Sequence, residues 1–394
     1  MAFVGIGTLD EKQSHYIQRM KILVFTDWFY PGSQAGGPIQ SLMSFMKTSS
    51  DTFYVVTRNT DLNSTIPYSS IQSDSWQVSF QENIQVYYLN ENSLTEDFIL
   101  KIYSEINPER VYLNSMWSPK FTLLPLKVFR KNKFSSNVFL APRGMLKPAA
   151  FKQKGFKKKL FLLLSKFTKI YSNITWQATS EIEKEEILQK FPDANIRIAP
   201  NISNAEISEI KKEITSPFRI LTVGRISPEK GYYEALEAIR NWKPNKPVNW
   251  DIVGLEENAD LTEALRLLAM EKSSIQITLH GHKNQEELKE YYENSHLFFL
   301  PSRGENYGHA IAEALCNGIP VLVSDQTPWN NLEEKFAGKS SSINSTTLAE
   351  SLDFFFNLSN DDYQLWSQGA LNYAKARVNS PETLALNKSL FASE

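Results

Sequence analysis

Two glutamates stand eight positions apart in a segment that contains several glycines. Glu305 and Glu313 follow the apolar run Leu297–Leu300, so the pattern predicts a strand, a loop and a helix that begins near Gly308. The first backbone N–H groups of such a helix have no helical acceptor and attract an anion such as phosphate. They belong to Gly308, His309 and Ala310. Each carboxylate can accept two hydroxyl hydrogen bonds, which suits a polyol. The segment therefore indicates a phosphate and polyol site; the alternative is an amphipathic helix with two surface glutamates.

Positive charge is supplied by a short loop that follows another apolar run. Gly224 ends that run, and Arg225 and Lys230 come before the next helical stretch. Arginine can fork onto two phosphate oxygens, and lysine adds a compact charge. Such a pair can neutralise a leaving nucleoside diphosphate without a metal ion. The alternative is two solvated cations that pair with Glu229 or Glu234.

A glycine-rich loop follows the first apolar run, Lys21–Phe25. Gly36 and Gly37 precede Pro38, a residue favoured in the first turn of a helix. The glycines allow the backbone to approach a ligand closely, again at a helix N-terminus. Their spacing matches neither the dinucleotide-binding fingerprint nor a P-loop. A purely structural glycine pair is the alternative.

Apolar runs and helical stretches alternate along the chain, which indicates mostly parallel sheets covered on both faces. The predicted strands are 21–25, 53–56, 84–88, 110–113, 137–140, 218–224, 249–253, 275–279, 297–300 and 321–323, and the helices include 38–47 and 95–106. The alternation restarts near residue 217, after the turn-rich segment 200–204. We therefore predict an α/β protein with two Rossmann-like, doubly wound domains, 21–204 and 205–375, that face each other across a ligand-binding cleft.

Residues 1–20 lack the pattern and are expected to be an extension, with Met20 as a natural start.

Residues 147–169 form a basic segment with eight lysines, no acidic residue and interleaved Phe and Leu. A basic, apolar helix of this kind can rest on an anionic membrane surface. The alternative is a core helix whose lysines are solvated. Arg143 stands just before the segment, at the end of a predicted strand. It is a candidate contact for a phosphate or an acceptor, or else a structural ion-pair partner.

The composition excludes several classes of protein. The 394 residues carry 42 Lys+Arg and 44 Asp+Glu, so the net charge of −2 argues against nucleic acid as a partner. The single cysteine, Cys316, excludes an internal disulfide and suits a reducing compartment, so we expect a cytoplasmic protein. No apolar run is long enough to span a bilayer, and charged residues 10–12 interrupt any signal peptide. The sequence has no Asp-x-Asp pair, so we expect no metal site.

These motifs together resemble the retaining glycosyltransferases of family 4, which have the GT-B fold. The likeness spans about residues 21–391, and the Glu-x7-Glu segment with Gly308 and 318–320 is its most specific part. The stretches 114–119 and 142–145 are similar to the subgroup that builds bacterial surface polysaccharides. In this family the last helix crosses back onto the first domain, which implies such a role for Pro381–Phe391 within 376–394.

The resemblance implies a role for each matched residue. Arg225, Lys230 and Glu305 would be catalytic, with the two cations on the donor diphosphate and the carboxylate on the donor sugar. The donor-binding set would be Gly36, Gly37, Gly224, Asn306, Tyr307, Gly308, His309, Ala310 and Glu313, the last on the ribose hydroxyls. Many relatives carry a histidine after the fourth strand, which residues 113–118 lack. The candidates on the acceptor side are Trp28, Asn114, Trp117 and Arg143.

The implied reaction is a retaining, metal-independent and cofactor-free transfer of a sugar to a hydroxyl acceptor. The donor would be a UDP- or GDP-linked sugar, and the acceptor a glycan or a polyprenyl-diphosphate-linked glycan of a surface polysaccharide, reached at the inner face of the cell membrane. One alternative is a nucleotide-sugar 2-epimerase of the same fold. Another is a non-catalytic protein that binds nucleotide-sugars.

Overall fold

The computed structural model describes residues 19–134, 137–147, 155–209 and 211–392. Most of the expected extension, 1–18, and part of the basic segment, 148–154, therefore lie outside the described residues. Two sheets form the frame of the described chain, and each is covered by helices.

The N-terminal sheet contains eight described strands. They are β1 (Lys21–Phe25), β2 (Thr52–Arg58), β3 (Trp76–Val78), β4 (Ile84–Leu89), β5 (Arg110–Leu113), β6 (Val138–Leu140), β7 (Thr175–Ala178) and β8 (Asn195–Ile198). Their order is β3-β4-β2-β1-β5-β6-β7-β8, and β3 pairs antiparallel with β4 while the other pairs are parallel. Ile22–Phe25 at its centre is buried on both faces, as expected for a parallel sheet between helices.

The C-terminal sheet has six described strands, all parallel. They are β9 (Phe218–Val223), β10 (Val248–Val253), β11 (Ile275–Leu279), β12 (Leu297–Leu300), β13 (Val321–Ser324) and β14 (Gly338–Ser341). Their order is β11-β10-β9-β12-β13-β14. The sequence predicts the α/β class with two parallel-sheet units, and the structure confirms it; each predicted strand is present within two residues at either end.

Helices connect the strands and cover both sheets. They are α1 (Gly37–Thr48), α2 (Glu96–Ile106), α3 (Leu124–Lys131), α4 (Gly155–Thr168), α5 (Glu181–Lys190), α6 (Tyr232–Asn241), α7 (Ala259–Glu271), α8 (Gln285–Asn294), α9 (His309–Cys316), α10 (Ser345–Phe356), α11 (Asn360–Arg377) and α12 (Pro381–Lys388). Polar residues begin several of them; Asn284, for example, closes a capping box with Glu287 at the start of α8. Across the part of the chain covered by the structure, none of the helices is long and apolar enough to cross a bilayer.

The end of the chain returns to the N-terminal sheet. The Asn387 amide donates a hydrogen bond to the Pro200 carbonyl at 2.8 Å. Phe391 is buried, and its ring packs against those of Phe45, Tyr112 and Phe139 at centroid distances of 5.7, 5.8 and 5.0 Å. The tail is therefore part of the core of the N-terminal unit, as its apolar side chains require.

Candidate functional site

A cleft of about 740 Å³ lies where loops from the two sheets meet. Its walls come from the segments that follow β1, β6 and β8 in the first sheet and β9, β10, β11 and β12 in the second. Parallel strands end at one edge of their sheet, so each wall gathers several loops. The cleft brings together most of the residues singled out in the sequence. They are Gly36, Gly37, Arg143, Gly224, Arg225, Lys230, Glu305, Asn306, Tyr307, Gly308, His309, Ala310 and Glu313.

The N-terminus of α9 opens onto the cleft, as the sequence predicts. Gly308 stands before the helix in the left-handed region, with φ of +83°. The Gly308 carbonyl accepts the first helical hydrogen bonds, from the amides of Ile311 at 2.9 Å and Ala312 at 3.1 Å. The amides of His309 and Ala310 precede that ladder and have no helical acceptor. They form an electropositive end suited to an oxyanion.

The two loop cations are held by carboxylates. Lys230 Nζ lies 2.6 Å from Glu305 Oε1, with both side chains mostly buried. Arg225 Nη1 lies 2.8 and 3.0 Å from the Glu257 carboxylate and is half exposed. A solvent-exposed pair of this kind is weak, so a diphosphate can compete for Arg225. The expected alternative partner Glu234 pairs with Arg303 instead.

Glu313 is oriented by two neighbours from α8. Its Oε1 accepts a hydrogen bond from Gln285 at 3.1 Å, and its Oε2 accepts one from the Tyr292 hydroxyl at 2.7 Å. Burial raises the pKa of the Glu313 carboxyl. Each oxygen keeps acceptor capacity for a hydroxyl of a ligand. The geometry therefore suits a vicinal diol such as that of a ribose.

The glycine loop is fixed by a residue that sequence reasoning missed. Asp61 Oδ2 accepts the backbone N–H groups of Ser33 at 3.0 Å and Gln34 at 3.3 Å. Gly36 has φ of +65°, a left-handed conformation that favours glycine. Asp61 lies far from the loop in the sequence, in the segment after β2, so no local pattern could have revealed it.

Two histidines of the C-terminal unit bridge the cleft. His282 Nε2 lies 2.6 Å from Ser33 Oγ, and His309 Nε2 lies 2.7 Å from Ser41 Oγ. Burial, with a contribution from the Arg143 charge, lowers the pKa of His309 to about 3. The ring is therefore neutral at physiological pH, and it contacts α1 as an uncharged partner.

Three residues expected on the acceptor side are not among those that line this cleft. The ring of Trp28 is covered by the Arg58 guanidinium at 5.5 Å, and Trp117 packs on Phe161 of α4 at 5.2 Å. Asn114 is buried, where its Oδ1 accepts from Arg143 Nε at 2.9 Å. Of the four candidates, Arg143 lines the cleft, and the other three stay predictions for the acceptor side.

No group of three or more His, Cys, Asp or Glu side chains within the described ranges is arranged to hold a metal ion.

Comparison with known proteins identifies the part of the chain that carries most of these features. Residues 203–362 match the family model of the glycosyl transferases group 1. This segment is a group 1 glycosyltransferase domain. The amylovoran biosynthesis glycosyltransferase AmsK of Erwinia amylovora is 32% identical over 127 residues. That alignment covers 30% of this chain and 30% of the relative's length.

Solved structures share the fold of this protein along most of its length. Sucrose-phosphate synthase from Thermosynechococcus elongatus superposes with a TM-score of 0.65 at 16% identity, covering 93% of this chain and 97% of that one. HepE from Anabaena, in complex with UDP and glucose, superposes with a TM-score of 0.65 at 16% identity. This superposition covers 94% of this chain and 98% of HepE. WaaG, a glycosyltransferase involved in lipopolysaccharide biosynthesis, superposes with a TM-score of 0.64 at 13% identity. This superposition covers 95% of this chain and 100% of WaaG. The glycosyltransferase domain is thus half of a GT-B fold.

Acidification is expected to destabilise the protein through His309. The pKa of this imidazole drops from 6.5 to about 3 on folding, so the unfolded chain takes up the proton first as the pH falls below 6.5. Between pH 6.5 and 5 this lowers the free energy of unfolding by about 2 kcal/mol. Urea titrations at pH 5, 6 and 7 should show a shallower pH dependence for His309→Gln than for the wild type.

Ser41→Ala is the control, because it removes the hydroxyl partner and keeps the buried ring. Its pH dependence should match the wild type, since burial is the main cause of the lowered pKa. His296, whose pKa burial lowers to about 4, contributes equally in all three proteins. An unchanged slope in His309→Gln would contradict the assignment.

Proposed function

We propose that the protein transfers a sugar from a nucleotide-sugar to a hydroxyl acceptor, with retention at the anomeric carbon and without a metal ion. The convergence of the Lys230–Glu305 pair, Arg225, the α9 N-terminus and Glu313 on one cleft carries this proposal. The group 1 glycosyltransferase domain at 203–362 supports it.

The donor fits the C-terminal wall of the cleft. Its diphosphate would lie between Arg225, Lys230 and the free amides of α9, where three positive features can share the charge. Its ribose would reach Glu313. The HepE structures are named for complexes with UDP and UDP-glucose, which supports a UDP-linked donor; a GDP-linked sugar is the other candidate.

The reaction breaks the bond between the anomeric carbon and the β-phosphate oxygen, and forms one to the acceptor oxygen. The negative charge that develops on the leaving diphosphate is stabilised by Lys230 and the α9 amides. The acceptor proton passes to the departing phosphate oxygen, on the same face of the sugar. Glu305 holds Lys230 in place and faces the donor sugar; this geometry requires no covalent intermediate on the protein.

We also propose a lipid-linked glycan of a surface polysaccharide as the acceptor. Both AmsK and WaaG carry names from polysaccharide assembly, amylovoran and lipopolysaccharide respectively. A lipid-linked acceptor lies at a membrane surface, so the enzyme needs a face that can approach one.

Helix α4 supplies such a face. Leu163, Leu164 and Phe167 are 66, 52 and 87% exposed, although each is strongly apolar. Lys159 and Lys166 are exposed on the same helix, whereas Leu162 is buried against the N-terminal core. Exposed apolar side chains among lysines complement an anionic lipid surface, and a purely core helix would not show them.

Replacing Lys230 by alanine should lower turnover by about 1,000-fold, because the leaving diphosphate loses its central cation. Release of nucleoside diphosphate from a panel of UDP- and GDP-sugars, with alkyl glycosides as acceptors, measures this. Lys127→Ala, which removes an exposed cation paired with Glu96 on the protein surface, is the control and should retain normal turnover. Near-normal turnover in Lys230→Ala would contradict the mechanism.

Two further measurements separate the alternatives. NMR of the donor incubated alone would show an altered sugar, with no diphosphate released, if the protein were a 2-epimerase. Donor binding without release, with every acceptor offered, would indicate a non-catalytic protein.

Changing Leu163, Leu164 and Phe167 together to serine should weaken binding to vesicles at least tenfold. The vesicles contain phosphatidylcholine with about one third phosphatidylglycerol, and sedimentation measures the bound fraction. The matched control is Leu267→Ser with Met270→Ser, which removes exposed apolar side chains from α7 (55 and 82% exposed). Equal binding of both variants would contradict a membrane role for α4.

A further inference from the structure

Arg143 stands on the N-terminal wall of the cleft and is held there by neutral groups. Its Nε donates to Asn114 Oδ1 at 2.9 Å, its Nη2 to the Tyr112 hydroxyl at 2.8 Å, and its Nη1 to Asn201 Oδ1. The backbone of Arg143 has φ of +53°, a left-handed conformation that is costly for a residue with a Cβ. Several elements thus combine to fix one guanidinium at the cleft wall.

Arg143 differs from the other cations in the cleft because it lacks a carboxylate partner among the described residues. Four lysines and arginines line it, and three of them are paired with carboxylates: Arg225 with Glu257, Lys230 with Glu305, and Lys283 with Glu287. Arg143 has no carboxylate within 4.0 Å among the residues that the structure covers.

The nearby buried carboxylate of Glu183 is already occupied. It accepts hydrogen bonds from the Gly144 amide at 2.5 Å, and from the Thr179 amide and hydroxyl at 2.7 and 2.6 Å. The His309 ring, whose pKa the Arg143 charge helps to lower, supplies no negative charge either. A partly buried cation without a counter-ion is unfavourable unless an anion arrives to pair with it.

The guanidinium has the donors to receive such an anion. It carries five N–H groups, of which three are used in the bonds to Asn114, Tyr112 and Asn201. One N–H remains on each terminal nitrogen, the arrangement that binds two oxygens of a phosphate or a carboxylate.

We infer that Arg143 binds an oxyanion of the second substrate, a phosphate or a carboxylate, on the wall opposite the donor diphosphate. This rests on the proposed function, which already assigns Arg225, Lys230 and the α9 terminus to the donor. Two sources share the chemistry: the diphosphate of a lipid-linked acceptor, and the carboxylate of an acidic sugar in the acceptor glycan.

The test uses binding, so it does not depend on turnover. Inorganic pyrophosphate and methyl glucuronide are titrated into the full-length protein by calorimetry, with UDP saturating the donor site; methyl glucoside is the neutral comparison. The titrations are repeated without UDP. At least one of the two anions should bind, and Arg143→Gln should weaken it at least tenfold while UDP affinity stays unchanged. Arg143→Lys, which keeps the charge without the fork, should give an intermediate loss.

A second variant guards against misfolding of Arg143→Gln. Asn201→Asp keeps an oxygen that accepts from Nη1 and adds a carboxylate as counter-charge to Arg143. It should therefore also weaken binding of the anion at least tenfold, while the variant unfolds at the same temperature as the wild type. Arg130→Gln, on the exposed surface of α3, is the matched control and should change nothing.

The outcomes separate this inference from the proposed function. Binding of pyrophosphate alone indicates a diphosphate-bearing acceptor, and binding of methyl glucuronide alone indicates an acidic sugar. Equal anion affinity in the wild type, Arg143→Gln and Asn201→Asp, or no anion binding at all, overturns the inference even when UDP binds. Failure of UDP to bind contradicts the proposed function, while the titrations without UDP still report on Arg143.

Discussion

Parallel strands place all their carboxyl ends at one edge of a sheet, and here two such edges meet across one cleft. Everything at the site follows from that constraint. The functional groups are spread over several loops, and no single loop supplies them all. The cleft gathers them because loops from both sheets end there. Chemistry at this position therefore depends on how the two walls are held together, more than on any single loop.

The contacts between the walls are short and polar. His282 reaches Ser33, and His309 reaches Ser41, while Lys147 Nζ donates to the Glu305 carbonyl at 2.7 Å. Such contacts form and break more readily than a buried apolar interface, so they suit a cleft that must admit a substrate and release a product. They also place the glycine loop next to the α9 terminus.

Sequence alone predicts the fold where burial imposes a pattern. The run Leu297–Leu300 is apolar throughout, because both faces of that strand are covered, and it is predicted without error. The strands Thr175–Ala178 and Gly338–Ser341 carry polar residues and are not predicted, since pairing with a neighbour defines them rather than hydrophobicity. The site follows the same rule. Residues that act within one segment, such as 304–313, can be read from their spacing, whereas Asp61 acts on a loop far away in the sequence.

A crystal structure of the protein with UDP or GDP bound tests the proposed donor site most directly. We expect the nucleotide in the cleft, its diphosphate within hydrogen-bond distance of Lys230, Arg225 and the α9 amides, and its ribose hydroxyls on Glu313. In that state Arg225 should have left Glu257 for the phosphate. A nucleotide bound elsewhere, or one in the cleft whose phosphates touch neither Lys230 nor α9, would contradict it.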